Sequence, residues 1–551
     1  MAVRPSTLIV FIAFAIACGD AADDPPVAAT GGGKVEVLSR GAAFRGVNGI
    51  LVGPDGLLWA ASVVTPAIAA FDTDSGDEVL RLGPESGIAG PDDLAFGPDG
   101  SLYWTDISVG NVGRRSPDGS VRVVASPGPG VNPITFSDDG RLFVSQCFFD
   151  HRLFEIDPDG EEEPRLITDQ LGPGCGLNGM DWGPDDRLYG PRWFQGEVVK
   201  VDVDSGSWET VADGFGVPAA VKFDSRQRLH VLDSLAGEVW RVEGGERELV
   251  ARVDPSTADN LAFGADDRLF VSSFGDGWVV EILGVDEQRV LSPGGLNMPG
   301  GVALAIRDGV AVAYVADFFA LRGLDAATGR QVYVARDIIG FSDLGSAMSV
   351  ATSGDRLLLT SWFDNAVRIW DPAADALVAA FTDFARPIDA LAVGEEILVS
   401  EIDTGSVIRF DPRQPDARTA VAENLGVPAG LAVLEGEVYV ADRASGTVLR
   451  ILRDGEVVSP PEPVASDLAG PEGIAACGAR LCVVEADAGR LSAVDPGSGR
   501  VSILAEGLEL HVPSQGDFPA TMLLNGVASD GRHAWVSGDR ANVLYRVTIG
   551  G

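Results

Sequence analysis

One segment recurs twelve times along the chain, and that recurrence restricts the fold more than any other feature. VNGILVGPDGLLWAAS near the start returns as PDDLAFGPDGSLYWTD, LNGMDWGPDDRLYGPR and PAGLAVLEGEVYVAD, among others. One equivalent position per copy is Asn48, Asp92, Asn132, Asn178, Ala219, Asp259, Gly300, Ala347, Asp389, Ala429, Glu472 and Asn525, with steps of 40 to 53 residues. Such a period, filled by short apolar runs and tight turns, suits a four-stranded propeller blade. In each copy a run such as NGMDW reads as an inner strand A. Gly-Pro-Asp-Gly supplies a positive-φ turn, and strands B, C and D follow. DTDSG from Asp72 and DVDSG from Asp202 fall where the C–D turn belongs; without the distal Glu of a calcium loop, they read as turns.

Twelve blades exceed the roughly four to eight of a single ring, so the expected fold class is all-β, two consecutive six-bladed β-propellers. Their predicted limits are 34–285 and 286–551. Val35–Ser39 precedes the first strand A as a strand D would, and the chain stops at a strand C, Asn542–Ile549. The expected closures pair Val35–Ser39 with the blade ending near Ile282, and Val290–Ser292 with Tyr545–Ile549.

The 69 glycines and 33 prolines agree with many turns, and 46% hydrophobic residues with a folded protein. A formal charge of −40 excludes nucleic acid as a partner and disfavours anionic surfaces. Residues 1–18 read as a lipoprotein signal peptide: Arg4, then the apolar LIVFIAFAIA, then Cys18 as the lipidation residue. Residues 19–33 read as a flexible tether. The expectation is a cell-envelope protein facing the periplasm or exterior, touching a membrane only through its lipid. Four further cysteines suggest two disulfides, Cys147–Cys175 and Cys477–Cys482, as export permits.

The twelve equivalent positions begin strand A and so gather at each channel mouth. In the first ring, Asn48, Asp92, Asn132, Asn178 and Asp259 can offer side-chain oxygens, a donor set for a hard cation such as calcium. The second ring offers three by the same count, and its mouth receives the insertion Gly507 to Leu523, with His511 and Asp517. At the first mouth stand Asp106, QCFFDH (146–151), Arg192, Trp193, Asp233 and Phe274, a pocket-like mixture of aromatics and charges. His151 beside Asp150 offers an acid/base pair. GxSxG, HExxH and Walker motifs are absent from the sequence.

LNGMDWGPDDRLYG closely resembles a blade of the senescence-marker-protein/gluconolactonase (regucalcin-type) family, and GPDG…LYWTD resembles NHL-repeat and streptogramin-lyase-like propellers. The first resemblance implies a metal-binding role for Asn178 and substrate contact for Asn132. It also puts Asn48 where the family has a Glu ligand, and Ala219 where it has its catalytic Asp. Asp92 and Asp259, from neighbouring blades, are the substitute catalytic and metal carboxylates, with His151 as a further catalytic candidate and Arg192 and Trp193 as substrate contacts. Two function classes stay open. One is a calcium-dependent hydrolase of lactones or related esters; the other is a non-catalytic module binding a small-molecule, protein or glycan ligand. A streptogramin-type lyase requires a His/Glu pair that the sequence alone does not place.

Overall fold

The computed structural model describes residues 33–255, 257–512, 521 and 523–549. Cys18, the signal and tether segments and Asp517 lie outside them. The described chain is all-β apart from two single-turn 3-10 segments, and its 48 strands form twelve four-stranded antiparallel sheets. Eleven sheets use four strands consecutive in sequence, in the order A-B-C-D. The turns follow their sequence chemistry. In Gly53-Pro54-Asp55-Gly56, Gly56 has φ 78° and its N–H donates to the Gly53 carbonyl at 2.9 Å. At DTDSG the Asp72 carboxylate accepts the Asp74 and Ser75 N–H groups at 3.0 and 2.8 Å, so it serves as a turn cap.

The chain divides into two compact units, one from Ala42 to Gly295 and one joining the N-terminal strand to Leu296 onward. This corrects the expected limits, and the closures are corrected with them. Val35–Arg40 pairs with Val543–Thr548, not with the sheet ending near Ile282. Glu287–Ser292 pairs with Val279–Gly284 as the fourth strand of its own sheet. The N-terminal strand therefore completes the twelfth sheet. Its register sets Val35 opposite Val547 and Val37 opposite Tyr545, and Glu36 forms an ion pair with Arg546 at 2.7 Å.

Each unit is cemented by apolar clusters between successive sheets. One such cluster joins the first sheet (Phe44, Ile50, Ala69) to the sixth (Phe270, Val279). Another joins the seventh (Val302, Val315) to the twelfth (Trp535, Leu544), with Leu38 of the N-terminal strand against it. Six sheets per unit, with the first packed on the last, fit two six-bladed propellers. Cys147–Cys175 and Cys477–Cys482 are disulfide-bonded, with Cα separations of 3.9 and 5.6 Å.

Candidate functional site

In five of the twelve sheets the last residue of strand B is an acid (Asp106, Asp233, Glu401, Asp442 or Glu485) that secures the loop leading into strand A. Asp233 accepts the Gly216 and Val217 N–H groups at 2.7 and 2.9 Å, and Asp442 accepts Gly426 and Val427 at 3.0 and 2.8 Å. Asp106 takes the Ala89 N–H and the Trp104 indole, each at 3.1 Å, and burial pushes its carboxyl up to about 6. These acids fix where strand A starts.

At that start, in the first unit, carboxylates from different sheets meet. The Asn48 amide donates to Asp92 Oδ2 at 2.9 Å, while Asp92 Oδ1 is buried without a hydrogen-bond partner. Burial, then the charges of Asp259 and Asp93, push the Asp92 carboxyl well above the usual range. Burial and the charge of Asp93 raise Asp259 to about 7. Asp93, which the sequence reading did not single out, lies one residue further in. It accepts Leu94 and Ile134 N–H groups at 2.9 and 3.2 Å and the Asn260 amide at 3.4 Å. A Cβ on Gly49 would stand 2.3 Å from Asp93 Oδ1, so only glycine admits that carboxylate. The Asp-Asp and Asp-Asn dipeptides at 92–93 and 259–260 were the available signal for this inner layer.

Five other buried side-chain atoms at this end of the first unit lack partners: Thr65 Oγ1, Gln146 Oε1, Trp193 Nε1, Gln195 Oε1 and Trp278 Nε1. Unpaired buried polar atoms cost roughly 1–3 kcal/mol each unless water or another group meets them.

The remaining candidates behave differently. Asn132 lies at the start of its strand, Asn178 in the segment leading to strand Asp181–Trp182; both are buried, and their side chains make no hydrogen bond to the described residues. Ala219 is buried and brings no polar atom. Arg192 is a scaffold residue, not a free substrate contact: it donates to the Leu171 and Gly172 carbonyls at 2.7 and 3.1 Å, pairs with Glu197 and stacks over Trp208. The ring of Trp193 packs edge-on against Phe148 at 5.9 Å, with only its N–H unpartnered. His151 Nδ1 is 3.8 Å from Asp150, too far for a hydrogen bond, and Asp150 is held by Arg152 at 2.7 Å. The His151 ring lies over Gly172, so the anticipated acid/base pair is not formed.

Strand registers also correct the second unit's list. Leu94 pairs with Trp104 and Pro91 with Asp106, while Ala390 pairs with Val399 and Pro387 with Glu401. Asp389 is thus the counterpart of Asp93, and Ile388 is that of Asp92. The same comparison puts Met348, not Ala347, opposite the role of Asn48. Only Glu472 and Asn525 then offer oxygens at this position in the second unit, against five residues in the first.

A cavity of about 1030 Å³ opens at the opposite end of the first unit, where strands A turn into B. Phe96, Phe136, Phe223 and Phe263 wall it, with Asp181 and Lys222 among its lining. Lys222 donates to the Met180 carbonyl at 2.9 Å, and Asp181 accepts the Phe223 N–H at 2.8 Å.

Over one stretch this chain is similar to a gluconolactonase. The match, to the enzyme so named in Zymomonas mobilis, is 31% identical over 133 residues. It covers 20% of this chain, and the chain spans 37% of that relative's length. No family model matches the chain. Among solved structures, a streptogramin B lyase aligns with TM-score 0.37 and 17% identity, covering 51% of this chain and 94% of that one. The extracellular domain of the B. thetaiotaomicron two-component-system protein BT4673 aligns with TM-score 0.32 and 10% identity, covering 94% and 82%.

The ligand trio that the gluconolactonase resemblance implied does not fit here. Asn48, Asn178 and Ala219 contain no carboxylate, and among the described residues no three His, Cys, Asp or Glu side chains are grouped to hold a metal. Asp92 accepts the Asn48 amide, lies under the charge of Asp259 and keeps its Oδ1 buried without a partner. Among the described residues no helix is long and apolar enough to cross a membrane.

Proposed function

We propose that each unit is a closed six-bladed β-propeller and that the first hydrolyses a lactone or related ester at the end holding Asp92 and Asp259. The observation that carries this reading is the Asp92 carboxyl, buried with Oδ1 unpartnered and raised further by the charge of Asp259. When two acids lie in one electrostatic neighbourhood and one is raised to about 7, neutral pH leaves one protonated and the other partly ionised. The ionised carboxylate takes a proton from water as the water oxygen adds to the ester carbonyl carbon, and the protonated one donates to the alkoxide oxygen as the acyl C–O bond breaks. Asp92, Asp259 and Asn48 are the residues that would hold a divalent cation, calcium by its preference for oxygen, and a bound cation would polarise the ester carbonyl. The net charge of −40 favours uncharged substrates over anionic ones. The two disulfides support residence outside the reducing cytosol, and the lipid anchor at Cys18 belongs to the same proposal.

The test is hydrolysis of a panel of uncharged γ- and δ-lactones with and without calcium, by the parent chain and by Asp92→Asn and Asp259→Asn. Turnover that falls at least about a hundredfold in both variants supports the reading. The alternative, a non-catalytic module for a small-molecule, protein or glycan ligand, is favoured by Ala219, which removes the carboxyl that the resemblance calls catalytic. Calcium binding lost in both variants, without turnover of any lactone by the parent, selects that alternative.

A further inference from the structure

At the corresponding end of the second unit, four separate segments bring together Arg443, Glu472, Asp487 and His511. Glu472 begins strand A of the eleventh sheet and is fully buried. Its Oε1 accepts Arg443 Nε at 3.0 Å and the Thr521 hydroxyl at 3.3 Å, and its Oε2 accepts the Asn525 N–H at 2.9 Å. Arg443 Nη2 pairs with Asp487 at 2.5 Å. Two of the three guanidinium nitrogens are thereby used. The third, Nη1, has no acceptor among the described residues and is not one of the buried unpartnered atoms, so its N–H groups remain to be offered.

His511 stands beside it, its ring approached by the same guanidinium. Arg443 Nη2 lies 3.4 Å from Nδ1 and 3.2 Å from Nε2. A neutral imidazole has a single lone pair, so Nη2 is accepted by one ring nitrogen and the other bears an N–H. Glu472 and Asp487 are 3.8 and 3.7 Å from the ring, beyond hydrogen-bond range. The backbone holds His511 there at φ 57°, a sparsely used conformation. Asn525 Oδ1 accepts the His511 N–H at 3.0 Å, and Asp539 accepts the next N–H at 3.0 Å. Burial and then Arg443 lower the His511 pKa below its ordinary value, against the opposing charges of Asp487 and Asp539. This favours the neutral imidazole, which has one N–H to offer.

We propose that the second unit carries its own ligand site, in which Arg443 Nη1 and His511 together bind the C=O oxygen of a small carbonyl compound, over a floor formed by Glu472 and Asn525. A guanidinium edge beside an imidazole N–H is a two-donor cradle for such an oxygen, and Asp487 and Glu472 hold the guanidinium so that little order is lost on binding. The shared chemistry admits a carboxylate or an uncharged carbonyl. The arrangement is independent of Asp92 and Asp259.

Histidine ring signals of the full chain, labelled at histidine and assigned with His511→Gln, report on this site while glycolate or δ-valerolactone is added. The chain has four histidines, so His151, His230 and His533 are internal controls. The expected result is a saturable shift confined to His511 with at least one probe, weakened at least tenfold in Arg443→Lys and unchanged in Asp92→Asn/Asp259→Asn. Glycolate alone would identify a carboxylate site, and valerolactone an uncharged one. No His511 shift with either probe in the parent protein, or equal shifts at all four histidines, overturns the proposal. The parent titration decides by itself if a variant fails to fold.

Discussion

At Asp92 and Asp259, burial works against the charged form of each carboxyl, and this has a direct consequence for stability. Asp259 is raised to about 7 and Asp92 also upward, so the folded chain holds protons that the unfolded chain releases near pH 4. Stability of the first unit from this source is complete at acid pH and is lost as pH rises from about 4 through 7. The melting temperature of the first unit should therefore fall over that range, and Asp92→Asn/Asp259→Asn should flatten the dependence. Calcium added at pH 7.5 should restore part of the lost stability in the parent only, and have little effect at pH 5, where protons occupy the site. Calorimetry across pH reads both effects; a pH profile equal in parent and variant removes this account of the carboxyls.

Among the elements, the acid that ends strand B has the most repeated duty. Asp233→Ala leaves the Gly216 and Val217 N–H groups without their acceptor and should cost roughly 2 to 4 kcal/mol in denaturant unfolding of the first unit. Asp442→Ala should do the same to the second unit through Gly426 and Val427. The two disulfides should differ. Cys147 and Cys175 are 28 residues apart and Cys477 and Cys482 only 5. On loop-closure entropy, replacing the first pair by serine should cost about 3.5 kcal/mol and the second about 2. Equal losses would show that strain or local packing, not loop length, sets their worth.

For the whole molecule, the N-terminal strand is the decisive piece, because it comes first in the chain and completes the last sheet. Removing residues 34–41 exposes the edge Val543–Thr548 and strips Leu38 from the cluster around Trp535. The second unit should then unfold about 10 °C or more below the parent, while the first, whose sheets are built wholly from residues after Ala42, should keep its transition. Hydrogen exchange resolves the two: faster exchange at 543–548 without change in 42–295 is the expected pattern. Weakening of the first unit instead would revive the closure that the sequence suggested.

What the residues determined unaided was everything written in neighbours along the chain. The period set four strands per copy, Gly56 and the Asp72 cap set turns, and cysteine spacing set both disulfides. The approach of Asn48 to Asp92 was legible too, because the repeat places equivalent residues at equivalent ends. Asp93 and its support by Gly49 were not, since they depend on the approach of a second strand. Register escaped for a similar reason. Asp389 and Ile388 are adjacent, and only cross-strand pairing tells which takes the role of Asp92, a one-residue slip that changes the face of the sheet. Closure escaped most completely. A strand such as Val35–Arg40 can complete any open sheet edge, and the choice rests on side chains some 500 residues away in sequence: Val547, Tyr545 and Arg546, each opposite a residue of the N-terminal strand. Local pattern fixes what the strands are; packing between distant parts of the chain fixes which of them meet.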